Sequence, residues 1–277
     1  MNPPSSGARG AVVTVFALLI GCGESRGNIL TLPDGSAPDG GAWQPGVRTT
    51  WQIQLNGTLD TTVDAKLYLV DFEDVGAATM AELHSAGRAV ACYISAGTFE
   101  TWRSDAASFP AAAIGNPLAS YPQESWLDVR DSTVRTLMIA RVDRARTQGC
   151  DAIDLANLSS SGQDTGFAAL SGTDYLTYGQ TMARAVSARG MSVGLDGAED
   201  LLGDILPEFD WGLATDCFAT DGCQAWSPML AVNKPVLLVE FGDATTAQAV
   251  CAPATRAGFD ALIKNSALDA FRISCPP

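Results

Sequence analysis

The chain has 277 residues, 47% of them hydrophobic, and its 31 acidic side chains outnumber its 17 lysines and arginines, which gives a net charge of −14. This length suffices for one large domain with a full core, and the negative charge disfavours binding to nucleic acid or to anionic lipid. Such a surface would attract a cationic partner, although the same charge also serves simple solubility.

The first 21 residues are typical of an export signal. Arg9 precedes the apolar run AVVTVFALLIG, which is too short to span a bilayer and suits the core of a signal peptide. The ending LLIGC resembles the lipobox of bacterial lipoproteins, in which the cysteine, here Cys22, becomes lipidated. A plain signal peptide with a coincidental cysteine is the alternative. Cleavage would leave residues 22–277 with a net charge of −15, exported and either anchored in the cell envelope through the lipid or secreted.

Residues 22–48 are rich in Gly, Pro and Ser, which predicts a flexible tether. From about residue 49 short apolar runs predict strands at 51–55, 65–72, 89–95, 151–157, 192–197, 211–216, 235–242 and 259–265. Helices are predicted at 77–87, 132–148, 174–189 and 245–257, the third starting at a Thr173 cap and stopping at Gly190. Eight strands alternating with helices predict one α/β domain over 49–277, a (β/α)8 TIM barrel. A doubly wound sheet is the alternative, but no dinucleotide or P-loop motif supports it.

Six cysteines remain besides Cys22, an even number that predicts disulfides in an exported chain. Of 15 possible pairings, we favour Cys92–Cys150, Cys217–Cys223 and Cys251–Cys275. No metal-ligand spacing is present and no cofactor is expected. The only histidine, His84, is predicted to be a surface residue, so a Ser-His-Asp catalytic set is disfavoured.

In such a barrel the active site forms at the carboxyl ends of the strands. This rule selects a small set of residues for chemistry, namely Asp71, Ser95 to Gly97, Asp154 to Asn157, Asp196, Thr215, Asp216 and Glu240.

Several stretches are similar to one known family. They are WQIQLNG, YLVDFED, CYISAGTFETWRSDAASFP, ESWLDVR, GCDAIDLAN, FDWGLATDCF and LLVEFGD, and they run from Trp51 to about Asp243. In these motifs the chain resembles glycoside hydrolase family 114, the endo-α-1,4-polygalactosaminidase-like TIM barrels. The resemblance implies hydrolysis of a polymer of α-1,4-linked galactosamine and N-acetylgalactosamine.

The resemblance also implies a pair of catalytic carboxyl groups, as glycosidases usually require. The two family positions are Ala156 and Thr215 in this chain, and neither side chain can transfer a proton usefully. Two neighbouring polar positions of the family pattern have become Ser159 and Ala214, and the fifth-strand motif has become LDG, with Asp196. The barrel therefore either lost its activity or uses a shifted pair.

A shifted pair has three candidate members, Asp154, Asp196 and Asp216. Asp154 faces the same side of its strand as Ala156, about 7 Å deeper. The structural alternative is that Asp154 is hydrogen-bonded inside the barrel and that Glu240 pairs with Lys264.

Substrate binding is predicted for Asp71, Glu100, Trp102, Asn157 and Glu240. Trp102 could stack on a sugar face, and Arg103 could hold a carboxylate. Alternatively, Arg103 with Asp105, and Asp128 with Arg130, fix the long loop 96–130.

A partly deacetylated galactosamine polymer carries ammonium groups, so the acidic chain would attract it as a partner. The alternative functions are a noncatalytic carbohydrate-binding envelope lipoprotein and a partner-binding protein that reuses the fold.

Overall fold

The computed structural model describes residues 42–276 and contains a curled sheet of nine strands. The strands in chain order are β1 (Trp51–Gln54), β2 (Leu67–Asp71), β3 (Ala89–Ser95), β4 (Thr98–Glu100), β5 (Ile114–Pro117), β6 (Glu124–Leu127), β7 (Ala152–Ala156), β8 (Ser192–Asp196), β9 (Trp211–Thr215), β10 (Val236–Phe241), β11 (Phe259–Lys264) and β12 (Ile273–Ser274). The large sheet has the order β1-β2-β3-β7-β8-β9-β10-β11-β12, in which only β12 is antiparallel to its neighbour.

Helices follow six of the parallel strands. They are α1 (Ala77–Ser85), α2 (Ser132–Gln148), α3 (Gly172–Ser187), α4 (Leu202–Ile205), α5 (Ser227–Ala231) and α6 (Ala244–Ala257). The predicted start of α3 at Thr173 was wrong, because Ser171 is the N-cap and forms a capping box with Asp174. The helix also ends at Ser187, before Gly190. Within residues 42–276, no helix has the length and hydrophobicity needed to cross a membrane.

Both faces of the parallel strands are buried, as their apolar runs predict. Side chains alternate along each strand, so one set fills the barrel interior and the other packs under the helices. The interior cluster contains Trp51, Leu69, Trp211, Leu213, Val239 and Leu262. The outer cluster contains Val70, Ile94, Leu155, Leu195 and Leu238 together with residues of the helices. This alternation identifies which strand residues point into the barrel.

The sheet curls until β1 comes close to β11, although no strand pairing joins these two strands among the described residues. Two hydrogen bonds donated by side chains cross this seam. The Trp51 indole Nε1 donates to the Asp260 carbonyl oxygen at 2.9 Å, and Arg272 donates to the Trp51 carbonyl oxygen at 3.0 Å. The single-domain (β/α)8 prediction is therefore confirmed in strand order and curvature.

Three disulfides join Cys92 to Cys150, Cys217 to Cys223, and Cys251 to Cys275, so the favoured pairing is confirmed. The first disulfide links β3 to Cys150, which lies just before β7. The predicted signal peptide, Cys22 and most of the tether lie outside the described residues.

The segment 96–130 is more ordered than a long loop. Strands β4, β6 and β5 form a small antiparallel sheet in that order. This accessory sheet follows the carboxyl end of β3, so it lies at the same end of the barrel as the other strand tips.

Candidate active site

The tips of β3, β7 and β8 are adjacent and in register. Ser95 pairs with Ala156, and Ala156 pairs with Asp196. The backbone approach is very close here, because a Cβ atom on Gly97 would lie 1.7 Å from the Asn157 carbonyl oxygen. A glycine at position 97 therefore lets the accessory sheet begin directly over the tip of β7.

Asp154 points into the barrel and is completely buried, yet neither of its carboxyl oxygens has a hydrogen-bond partner among the described residues. Its register neighbours are Tyr93 on β3 and Gly194 on β8, and the Trp211 ring lies against Gly194. Burial, and then the negative charge of Asp196, raise the pKa of Asp154 well above its ordinary value. The expectation that Asp154 is hydrogen-bonded inside the barrel was wrong, and its carboxyl is too deep to touch a substrate.

Asp196 is the carboxyl group that stands beside Ala156. It ends β8, shares the interior face with Asp154, and remains partly exposed. Burial and, to a smaller extent, the nearby charge of Glu199 together raise the pKa of Asp196 to about 7. A carboxyl group with this pKa at an accessible strand tip can donate a proton near neutral pH.

Asp216 follows the end of β9 and leaves the strand through a left-handed backbone conformation with φ of 51°. This turn changes the direction of its side chain, which would otherwise point to the outer face. Its Oδ1 accepts a hydrogen bond from the Phe241 backbone N–H at 2.8 Å, and the residue is partly exposed. The preceding Thr215, at the second family position, is exposed at the mouth.

The accessory sheet adds Glu124, a carboxyl group that the sequence reasoning missed. Its Oε2 accepts a hydrogen bond from Thr98 Oγ1 at 2.7 Å, and Thr98 contacts the hydroxyl of Ser95. Asn157 Nδ2 donates to Ser95 Oγ at 2.8 Å, which extends this chain of polar groups to the tip of β7. Burial raises the pKa of Glu124, and the Thr98 hydrogen bond opposes that rise. Glu124 is the first residue of the ESWLDVR motif, in which the sequence analysis assigned roles only to Asp128 and Arg130.

Asp71 and Glu100 lie at this end of the barrel, but both are ion-paired with the same arginine, Arg103. Arg103 donates to Asp71 at 2.7 Å and forms two hydrogen bonds of 2.7 Å with Glu100. Arg141 on α2 binds Asp105 at 2.8 Å and reaches Glu100 at 3.4 Å. These buried ion pairs attach the accessory sheet to β2 and α2, as the loop-fixing interpretation predicts. A role of Asp71 or Glu100 in substrate binding stays a prediction.

A second arginine–carboxylate pair fixes the end of the accessory segment. Arg130 forms two hydrogen bonds of 2.8 Å with Asp128 on the exposed surface.

His84 is exposed as predicted, and its Nε2 contacts Asp151 at 2.8 Å.

Glu240 lies on the outer face of β10, the face that it shares with Leu238. Its oxygens accept hydrogen bonds from the backbone N–H groups of Phe218 at 2.7 Å and Ala219 at 3.3 Å. The expected pair with Lys264 was wrong, since Lys264 donates to the Asp269 carbonyl oxygen instead. Glu240 also lies near Cys217 and Cys223, but these cysteines form a disulfide and offer no thiolate to a metal ion.

The geometry thus defines a glycosidase-like barrel with carboxyl groups at its strand tips, and comparisons with known proteins agree. The sequence profile described as glycoside-hydrolase family GH114 matches residues 34–277. The chain belongs to this family. A search of curated proteins finds no match.

Two solved structures illustrate the similarity. The crystal structure of Aspergillus fumigatus Ega3 in complex with galactosamine has 34% sequence identity and a TM-score of 0.80, over 84% of this chain and 97% of the chain in that structure. The glycoside hydrolase domain of PelA from Pseudomonas aeruginosa has 14% identity and a TM-score of 0.64, over 81% of this chain and 97% of that domain. The second similarity supports the fold alone.

Proposed function

We propose that this protein is a glycoside hydrolase that cleaves a galactosamine-containing polysaccharide with a shifted pair of carboxyl groups, Asp196 and Asp216. One observation carries the proposal. Asp196 is the register partner of Ala156 on the neighbouring strand and on the same interior face. The carboxyl group has therefore moved sideways by one strand, about 5 Å, from the position that the family resemblance implies.

The roles of the two groups follow from their surroundings. Asp196, with a pKa raised by burial to about 7, supplies the proton to the leaving glycosidic oxygen. Asp216 is oriented by the Phe241 backbone N–H and supplies the carboxylate that attacks the sugar or activates water. The substrate class is supported by membership of the family and by the galactosamine bound to Ega3. Ammonium groups on such a polymer complement the acidic mouth.

The test is release of reducing ends from a partly deacetylated galactosamine polymer. We expect turnover by the unaltered protein and a loss of about 10²–10⁴-fold in Asp196→Asn, because proton transfer to the leaving group is removed. Asp204→Asn, which changes an exposed carboxylate on α4, is the matched control and should retain activity. Full activity in Asp196→Asn would contradict the proposal.

A second candidate function is binding of the same polysaccharide without cleavage. Ala156 and Thr215 favour it, because neither family position carries an ionisable group, and Asp154 is too deeply buried to replace them. Binding without turnover, together with turnover gained in the double variant Ala156→Asp/Thr215→Glu, would support this candidate. Absence of any binding to amino-sugar polymers would contradict both functions.

We also propose that the protein is exported and anchored by a lipid on Cys22. The LLIGC sequence supports this location. Incorporation of a labelled fatty acid into the full chain, lost in Cys22→Ser, is the expected result. A protein that is exported without the label would be secreted rather than anchored.

A further inference from the structure

The tips of β9 and β10 each place a carboxylate on the backbone that follows or ends the other strand. Asp216, just after β9, accepts a hydrogen bond at Oδ1 from the Phe241 backbone N–H at 2.8 Å. In return, Glu240 on β10 accepts hydrogen bonds from two backbone N–H groups of the turn after β9, those of Phe218 at 2.7 Å and Ala219 at 3.3 Å. The side chain of each acid therefore fixes the segment that carries the other.

The backbone of Asp216 has a conformation that its surroundings must maintain. Its φ of 51° lies in the left-handed region, which residues other than glycine adopt uncommonly and only where neighbouring contacts impose it. Its N–H donates to the Val239 carbonyl oxygen at 2.8 Å, and its own carbonyl oxygen accepts from the Thr220 N–H at 3.0 Å. A disulfide between Cys217 and Cys223 closes the same turn. The direction of the Asp216 side chain thus depends on the turn as a whole.

Glu240 and this turn stabilise each other. The glutamate is buried, with 1% of its surface exposed, and a buried carboxylate is costly unless hydrogen bonds replace its hydration. Burial raises the pKa of Glu240, and the hydrogen bonds from Phe218 and Ala219 oppose that rise. Two successive backbone N–H groups that converge on one carboxylate form an arrangement that binds anions. Loss of the carboxylate would therefore leave two N–H groups of the turn without their acceptor.

Glu240 does not point into the barrel. It lies on the outer face of β10, whereas its neighbours Val239 and Phe241 pack toward the interior cluster. A sugar bound at the mouth would not touch a buried carboxylate on the outer face. An effect of Glu240 on the chemistry must therefore pass through the turn to Asp216.

We propose that Glu240 is a positioning residue, which holds the turn after β9 so that the carboxyl group of Asp216 is directed to the mouth. The inference rests on the proposed function, in which Asp216 attacks the sugar or activates water. It extends the site to the outer face of the barrel, since a displacement of a reacting group by about 1 Å is enough to slow catalysis strongly.

The first test is a double-mutant cycle on turnover of a partly deacetylated galactosamine polymer. In Glu240→Gln an NH2 group replaces one oxygen that faces the backbone N–H groups, so kcat should fall about 10- to 100-fold with little change in KM. In an Asp216→Asn background the same change should cause no further loss, because the positioned group is already inactive. Additive losses, or an unchanged kcat in Glu240→Gln, would overturn the inference.

The matched control is Asp260→Asn at the amino end of β11. Asp260 also accepts hydrogen bonds from two successive backbone N–H groups, those of Arg48 at 2.9 Å and Thr49 at 3.2 Å. The control removes the same kind of contact at the other end of the barrel, so the free energy of unfolding should fall while kcat is retained. An equal loss of kcat in Asp260→Asn would assign the effect to general destabilisation and overturn the positioning role.

Amide hydrogen exchange tests the inference independently of turnover. In the parent, Asp216 Oδ1 protects the Phe241 N–H. Release of the turn in Glu240→Gln should speed exchange at Phe241 by at least about tenfold relative to amides nearer the start of β10, and Asp260→Asn should not. Glu240→Asp, which keeps the charge on a shorter side chain, should show a smaller change in the same direction.

The two readouts separate the two proposals. Unchanged exchange at Phe241 in Glu240→Gln would contradict the positioning role even in a protein that cleaves the polymer. Faster exchange in a protein without any turnover would support the positioning of Asp216 while the hydrolase proposal fails.

Discussion

Acidic side chains on two sides of the same barrel mouth have opposite surroundings. Beyond β2 and β3 the carboxylates of Asp71, Glu100 and Asp105 all pair with arginines. On the side of β7, β8 and β9, the buried Asp154 and the tip residues Asp196 and Asp216 form no ion pair within the range 42–276. The comparison shows that a carboxylate paired with an arginine has a structural role, whereas a carboxyl group without a cation is a candidate catalytic group. The position at a strand tip alone does not distinguish the two.

The energetic basis is the cost of burying a charge. Burial raises the pKa of Glu100, but hydrogen bonds and charge from Arg103 oppose that rise. Asp105 is also partly buried, yet hydrogen bonds from Arg141 lower its pKa. Burial raises the pKa of Asp196 without an opposing cation, so its proton remains available near neutral pH.

The largest expected effect comes from removing an arginine on the side of the mouth where the carboxylates are ion-paired. Arg103→Met leaves Asp71 and Glu100 buried without their cation, so the free energy of unfolding should fall by about 3–5 kcal/mol. Chemical denaturation at pH 7 measures this change. A loss below about 1 kcal/mol would mean that Arg141 or solvent replaces Arg103, and the paired side would then be no more dependent on its arginines than a surface pair.

A smaller effect of opposite sign is expected on the unpaired side. Asp154→Val removes a buried carboxyl group without a hydrogen-bond partner, so the free energy of unfolding at pH 7 should rise by about 1–3 kcal/mol. The pKa of Asp154 is raised in the folded protein, so the unfolded chain binds fewer protons above pH 4 and the cost of Asp154 grows as pH rises.

The gain from Asp154→Val should therefore shrink as pH falls toward the ordinary pKa of an aspartate. Unfolding of both proteins at pH 4 and at pH 7 checks this dependence. A destabilised variant at both pH values would reveal that Asp154 supports the barrel interior, and the contrast between the two sides would weaken.

The pH dependence of turnover tests the same contrast through chemistry. A donor must be protonated to act, so kcat/KM should be sustained below about pH 7 and fall about tenfold per unit above it as Asp196 ionises. Initial rates across the pH range measure this limb. An alkaline limb that persists unchanged in Asp196→Glu would assign the titration to another group.

The fold followed from local patterns, whereas the partners at the site did not. Short apolar runs such as 89–95 and 259–265 predict strands because burial on both faces requires them, and the observed bounds match closely. Arg141 meets Glu100 across 41 positions, and no local pattern encodes that contact. Similarly, the absence of a hydrogen-bond partner for Asp154 depends on how the barrel interior packs. The side-chain direction of Asp216 depends on the left-handed backbone conformation of that residue, just after β9.

The smallest expected effect is on an exposed pair with the same chemistry as the buried ones. Arg130 binds Asp128 through two hydrogen bonds of 2.8 Å, but its side chain is 37% exposed. Water can therefore solvate Asp128 when the arginine is lost, and Arg130→Met should leave the denaturation midpoint almost unchanged. Arg103→Met, measured in parallel, holds the substitution constant and varies only burial. Equal losses in the two variants would show that charge pairing alone stabilises this mouth, and the lack of a cation beside Asp196 and Asp216 would then mark a weak side of the fold rather than a site.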